Sequence, residues 1–162
     1  MSNDIKISWD SDLIEGDFSF SESIQDLESD AGLETAVIIS LFTDRRAAED
    51  DILPDLNNLD KRGWWGDLVQ TEVEGDQIGS RLWLLSRREK TEQEVLLKAK
   101  RYAEEALQWM IEDKVAIKIN VIAERTGMVG NDILALLVQI YKIDGSDIAF
   151  KYEAQWDSQA LR

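Results

Sequence analysis

At 162 residues and 18.5 kDa the chain is sized for one domain, long enough to bury a core without disulfides or metals. It has no cysteine and no histidine, which excludes disulfides, thiolate nucleophiles, histidine triads and the usual zinc and haem ligands. The net charge of -15 is concentrated in residues 1–60, with 16 acidic against 3 basic side chains, so neither nucleic acid nor an anionic membrane surface is an expected partner. The bland reading of that charge is a solvated, solubilising surface, and the sharper one is complementarity to a basic protein.

The N-terminus lacks a basic segment followed by an apolar one, and no apolar run approaches the roughly 20 residues of a bilayer span. A soluble protein made in a cytoplasm is expected. Ile5 to Trp9 alternates apolar and polar positions, as a short strand does, and Asp17 to Phe20 reads as a second. Ser21 to Gly32 is acidic and aperiodic, and is expected to be a loop or arm. Val37, Ile38, Leu41 and Phe42 then follow helical spacing, with Thr35 or Asp30 as candidate caps. After this helix, Thr43-Asp44-Arg45-Arg46 places two arginines where they either complement the helix dipole or grip carboxylates and carbonyls of another chain.

Lys61 to Gly79 holds four glycines and the tandem Trp64-Trp65, and predicts an irregular folded loop. An adjacent tryptophan pair cannot place both rings in one core from a regular strand, so one of them is expected to face solvent, a groove or a partner. Arg81 to Arg88 predicts a short helix. Thr91-Glu92-Gln93-Glu94 has the form of a capping box. A long helix should follow, with Leu96, Ala99, Ala103, Ala106, Leu107 and Met110 as its apolar stripe, Tyr102 and Trp109 at its flanks, and an end near Asp113. The period then changes to two: Val115, Ile117, Ile119 and Val121 predict a strand with one buried face. Gly127 to Asp132 should turn the chain, Ile133 to Ile143 suits a central strand, Asp144 to Asp147 a second turn, and Ile148 to Trp156 a last strand. The expected fold is α+β: a single domain over 1–162, with acidic N-terminal strands or arm (1–32), a helical part with the Trp/Gly loop (33–113), and a C-terminal antiparallel sheet (114–157) packed on the long helix. Lys151 and Glu153 on the end strand either guard its edge or mark one used for strand addition by another protein.

Reactive constellations are sparse. Among 33 acidic residues a carboxylate pair at glycosidase separation can arise by chance, and spacing singles none out. Trp65 beside Asp67 resembles a sugar-stacking pair, on a single cluster. Asp144-Gly145-Ser146-Asp147 is too short for a calcium loop, and Gly127 to Gly130 precedes a strand where phosphate-binding glycine motifs open a helix. No cofactor, metal or catalytic residue is expected.

Three blocks occur in order: Thr35 to Ala47 (TAVIISLFTDRRA), Gly63-Trp64-Trp65-Gly66-Asp67, and Gly79 to Lys90 (GSRLWLLSRREK). Together with the capping box and long helix they resemble the small baseplate wedge proteins of Mu-like contractile-tailed phages, over roughly residues 30–125. The resemblance extends to the lysozyme-like wedge subunit of T-even phages and its pyocin and type VI secretion counterparts, and implies a non-enzymatic structural protein of the virion tail baseplate, assembled in the host cytoplasm. In that group an acidic-proline-arginine motif contacts the larger wedge subunits; here the position reads Asp44-Arg45-Arg46, without the proline. The resemblance also implies six copies around the tail, contacts with other wedge proteins and possible tube or hub proteins, and a sheet that templates the first sheath ring by strand addition. The expected partner-binding residues are Asp44, Arg45, Arg46, Trp64, Trp65, Asp67, Arg81, Lys151 and Glu153. The rival expectations are a peptidoglycan-degrading, lysozyme-like tail enzyme, and a free acidic inhibitor.

Overall fold

In a computed structural model of the chain, the structure describes residues 4–10, 12–13, 15–18, 20–21, 26–27, 29–30, 33–55, 57, 59–68, 77–85, 92–128 and 131–156. Among the described residues six short strands precede the first helix: β1 (Asp4–Ile5), β2 (Ile7–Asp10), β3 (Glu15–Phe18), β4 (Phe20–Ser21), β5 (Asp26–Leu27) and β6 (Ser29–Asp30). They pair as β1 with β6, β2 with β3 and β4 with β5, all antiparallel. Part of the segment expected to be a loop or arm is therefore paired backbone. Strands of two residues are too short to leave a period in the sequence.

Helix α1 (Leu33–Phe42) buries Val37, Ile38 and Leu41, as its spacing predicts. Thr35, expected as a cap, lies within the helix, and its hydroxyl oxygen accepts the Ile7 amide at 3.0 Å, joining the helix to β2. Asp30, the other candidate cap, lies in β6 opposite Asp4.

The long helix forms as α2 (Glu92–Ala106) and α3 (Trp109–Glu112), separated by a tightened turn in which Gln108 N–H bonds Glu105 and Met110 N–H bonds Leu107. Thr91 of the capping box lies outside the described residues. The core side of α2 is Val95, Ala99, Tyr102, Ala103 and Ala106, all buried. Tyr102 is thus core rather than flank, and Val95 supplants the half-buried Leu96 as the first residue of the stripe. The alanines let the helix axis approach the sheet closely. After α3 the chain closes with a Schellman arrangement: Val115 N–H bonds the Met110 carbonyl at 2.8 Å and Lys114 N–H bonds Ile111 at 3.1 Å, with Lys114 at φ 58°.

The C-terminal sheet is the expected antiparallel meander, order β7 (Ala116–Met128), β8 (Asn131–Lys142), β9 (Asp147–Trp156). Its register stacks Ile119, Ile140 and Ile148, then Val121, Val138 and Phe150, then Ala123, Leu136 and Tyr152 on the face toward the helices. The outer face carries the rows Asn120-Gln139-Ala149, Ile122-Leu137-Lys151 and Glu124-Ala135-Glu153. One expectation fails at the start of β7: Val115 and Ile117 are exposed and Ala116 is buried. The register shifts between Ala116 and Lys118, and this bulge puts Ile117 out of phase with Ile119 and Val121. The first hairpin is tighter than predicted, paired to Met128 opposite Asn131, while Val129 and Gly130 lie outside the described residues. The second turn behaves as expected, with Gly145 at φ 86° and the Asp144 carboxylate accepting the Ser146 amide at 2.8 Å.

Strands of 12 and 13 residues run about 40 Å, whereas a 15-residue helix covers about 22 Å, so α2 alone cannot roof the sheet. The N-terminal hairpin supplies more cover. Trp9 of β2 stacks on Phe42 (centroids 3.9 Å), meets Tyr152 edge-on at 6.3 Å, and donates its indole N–H to the Glu153 carbonyl at 3.1 Å.

Candidate partner-binding surfaces

The segment after α1 is fixed to the chain 36 residues later by a short parallel bridge between Asp44 and Ser80. Ser80 N–H bonds the Thr43 carbonyl and Arg45 N–H bonds the Ser80 carbonyl, both at 2.9 Å. Ser80 is buried, and its hydroxyl donates to the Leu41 carbonyl and accepts the Leu82 amide. Gly79 makes this approach possible: at φ 101°, an added Cβ would lie 2.3 Å from the Thr43 carbonyl oxygen. Beyond it Leu82–Leu85, within the expected helix of Arg81 to Arg88, forms a 3₁₀ turn with Leu84 and Leu85 in the core; residues 86–88 lie outside the described residues.

The bridge separates two neighbouring arginines. Arg45 turns back onto its own chain, donating to Gln77 at 3.1 Å and pairing with Glu105 at 3.5 Å, while its carbonyl accepts the Trp83 indole N–H at 2.9 Å. Arg46 faces out, and its guanidinium donates to the Arg62 carbonyl at 3.4 Å. Asp44 is taken by Arg62 at 2.8 Å.

Arg81 is largely enclosed, its side chain 18% exposed. It pairs with Asp51 at 2.9 Å and Glu105 at 2.5 Å and lies 4.8 Å over the Tyr102 ring. Burial disfavours its charge, but the hydrogen bonds to Glu105 and Asp51 and their charges outweigh burial and hold the guanidinium above its ordinary value. Asp51 also accepts the Ala48 amide at 2.9 Å, so Arg81 ties three segments together from inside the fold.

The tryptophan pair sits in a loop with unusual backbone. Arg62 and Gly63 take φ 50° and 113°, and Trp65–Leu68 forms a 3₁₀ turn. Gly66 is buried beneath the Trp64 ring, where an added Cβ would stand 2.0 Å from a ring carbon. Trp64 is 37% exposed and Trp65 72%, with ring centroids 5.4 Å apart at 43°. Asp67 closes the loop by accepting the Ile78 amide at 3.2 Å; residues 69–76 lie outside the described residues. Arg62 holds the base of the loop, with its guanidinium 4.5 Å over the half-buried Trp83 ring. Gly63 packs on Arg46, with 3.0 Å between an added Cβ and the arginine Cβ. Arg46, Trp64 and Trp65 therefore belong to one rigidly backed surface.

Lys151 and Glu153 lie elsewhere, on the outer face of β9, and pair with each other at 2.6 Å. The hydrogen bond and charge of Glu153 hold the Lys151 ammonium above its ordinary value. Arg62, Asp51 and Glu105 are organising residues that the sequence reading missed. No local pattern marks them, because their arginine and carboxylate partners lie 18 to 60 residues away.

A family model described as phage protein GP46 matches residues 33–147, which include α1, the bridge, the tryptophan loop and most of the sheet. Baseplate protein gp46 of Escherichia phage Mu is 43% identical over 132 residues, 82% of this chain and 85% of that protein. The Mu-like prophage FluMu protein gp46 of Haemophilus influenzae is 36% identical over 154 residues, 95% of this chain and 98% of that protein. The sequence, whose resemblance to Mu-like baseplate proteins rested on those same segments, thus belongs to the GP46 family of phage proteins.

Proposed function

We propose that this chain is a structural subunit of a Mu-like phage tail baseplate, located in the virion and acting by shape and contact rather than by catalysis. The observation that carries this reading is the surface of Arg46, Trp64 and Trp65. Two large rings stand partly or largely in solvent, yet the loop beneath them is fixed by Gly66, Arg62 and the bridge at Ser80. Pre-formed aromatic and arginine anchors of this kind dominate binding energy at protein interfaces, because little order is lost on docking.

In this reading the whole chain acts as one domain within a wedge. The Arg46 and tryptophan surface docks on the larger wedge subunits, with Asp44 and Asp67 shaping its backing. Arg45 and Arg81 hold that surface from inside. The C-terminal sheet templates the first sheath ring by main-chain pairing, in six copies around the tail. The test is complementation of a phage lacking the gene with Arg46→Ala/Trp65→Ala. A purified variant that melts like the wild type but is missing from purified tails supports the reading; normal incorporation refutes it.

A further inference from the structure

We propose that the acidic loop between Ala47 and Lys61 is a further anchor of the docking surface, and that it receives a protein segment presenting lysine or arginine beside apolar side chains. The proposal rests on the reading of this chain as a baseplate subunit docked through Arg46, Trp64 and Trp65, and names the partner chemistry beside that surface. The loop leaves and rejoins the fold at one point: the Ala47 amide bonds the Lys61 carbonyl at 2.9 Å, and the Lys61 ammonium pairs with Glu49 at 2.6 Å. Its ends therefore adjoin Arg46 on one side and Arg62 and Gly63, where the tryptophan loop begins, on the other.

The loop is pinned from inside. Asp51 is bound by Arg81 and accepts the Ala48 amide, Leu53 packs against the core, and Pro54, the chain's only proline, fixes its own backbone torsion. A closed surface loop packed in this way loses little order on binding. Beside the inward Leu53, Ile52 is 60% exposed, and Leu59 on the returning limb is 86% exposed. A single exposed leucine is ordinary, but Ile52, Leu59, Trp64 and Trp65 set four large apolar side chains outside along the loop and its continuation.

Charge selects the occupant. Residues 48–60 carry Glu49, Asp50, Asp51, Asp55 and Asp60 with no lysine or arginine. Of the cations at the loop base, Lys61 is paired with Glu49, Arg62 with Asp44 and Arg81 with Asp51, while Arg46 belongs to the adjoining surface. Asp50 is exposed two residues before Ile52, and Asp60 is exposed directly after Leu59, so each apolar anchor has a carboxylate beside it. A partner that sets a basic side chain next to an apolar one matches both pairs, whereas an acidic segment meets like charge.

Complementation of a phage lacking the gene, with the chain quantified in purified tails, tests the assignment, with Arg46→Ala/Trp65→Ala run in parallel. Ile52→Ser/Leu59→Ser, checked to melt like the wild type, is expected to lower incorporation about tenfold. Asp50→Lys should lower it about tenfold and Asp50→Asn no more than about threefold, since only the reversal adds repulsion from a basic partner. Normal incorporation of Ile52→Ser/Leu59→Ser overturns the loop as an anchor; the Arg46 and tryptophan reading then stands or falls on its own variant. Loss of the loop variant beside normal incorporation of Arg46→Ala/Trp65→Ala keeps the loop and refutes that reading. Asp50→Lys incorporated as well as Asp50→Asn overturns the basic partner, and it decides alone if the serine variant melts below the wild type.

Discussion

Replacing Gly79 with alanine tests whether the bridge at Ser80 organises the tryptophan and arginine surface. The glycine has φ 101°, and the added Cβ would stand 2.3 Å from the Thr43 oxygen and 2.8 Å from its carbonyl carbon. Both are backbone atoms, so no side chain can swing aside. Left-handed strain contributes about 1–2 kcal/mol. Separating the strands breaks the Ser80 to Thr43 and Arg45 to Ser80 hydrogen bonds, at about 1 kcal/mol each. The combined loss is about 3–4 kcal/mol, which for a chain of this size lowers Tm by about 10 °C. Gly145→Ala provides the control: φ is 86°, but nothing lies within 4 Å of the added carbon, so it bears the strain without the clash. It should cost about 1–2 kcal/mol and a few degrees. Calorimetry of both purified variants separates the two contributions, and a Gly79→Ala protein that melts within about 2 °C of Gly145→Ala would refute the reasoning.

Three further outcomes follow from the same contacts. Arg81→Met leaves the half-buried Asp51 carboxylate without the Arg81 cation and Glu105 with Arg45 alone, and should destabilise the chain by about 3 kcal/mol in urea titration; a loss below about 1 kcal/mol would mean the cluster is solvated like a surface pair. Tyr152→Phe removes a buried hydroxyl without a hydrogen-bond partner among the described residues, so stability should stay within about 1 kcal/mol of wild type or rise, and a loss above about 2 kcal/mol would reveal a partner for the hydroxyl. Lys61 holds the Glu49 carboxyl below its ordinary value of 4.5, chiefly through their hydrogen bond. Their contribution to stability is therefore present above pH 4.5 and fades as pH falls through the lowered folded value. NMR titration should find Glu49 returned to its ordinary value in Lys61→Met; an identical titration in both proteins contradicts the pairing.

What could be read in the chain, and what could not, follows the reach of each interaction. Ala99, Ala103, Ala106, Leu107 and Met110 declare a helix because the face they form is set by residues three and four apart. Ile148, Phe150 and Tyr152 declare a strand for the same local reason. The phase error at Val115 and Ile117 arises from one bulged residue, which shifts a two-residue period by half a cycle and depends on how β8 lies alongside. Arg45 and Arg46 are chemically identical neighbours, yet one is turned inward by Gln77, Glu105 and Trp83 and the other is left outside. Their opposite fates are set by chain segments that no local pattern ties to them.

The same distinction bears on how such a subunit binds. The tryptophan pair was visible as a contact candidate because Trp64-Trp65 is chemically conspicuous, but its rigidity comes from Gly66 beneath the ring and from Arg62 reaching across to Asp44 and Trp83. The sheet edge is the opposite case. Lys151 and Glu153 are conspicuous in the sequence, yet they pair with each other on a strand whose edge is met by Trp9, a residue 144 positions away from Glu153. A contact between two distant parts of the chain therefore covers part of the β9 edge. The N-terminal hairpin, which lies outside the family-matched region 33–147, thus covers part of β9 through Trp9. Trp9→Ala should accordingly leave β7 exchange unchanged in the free chain while speeding exchange near Glu153, and equal acceleration of both strands would show that the hairpin supports the whole sheet rather than one edge.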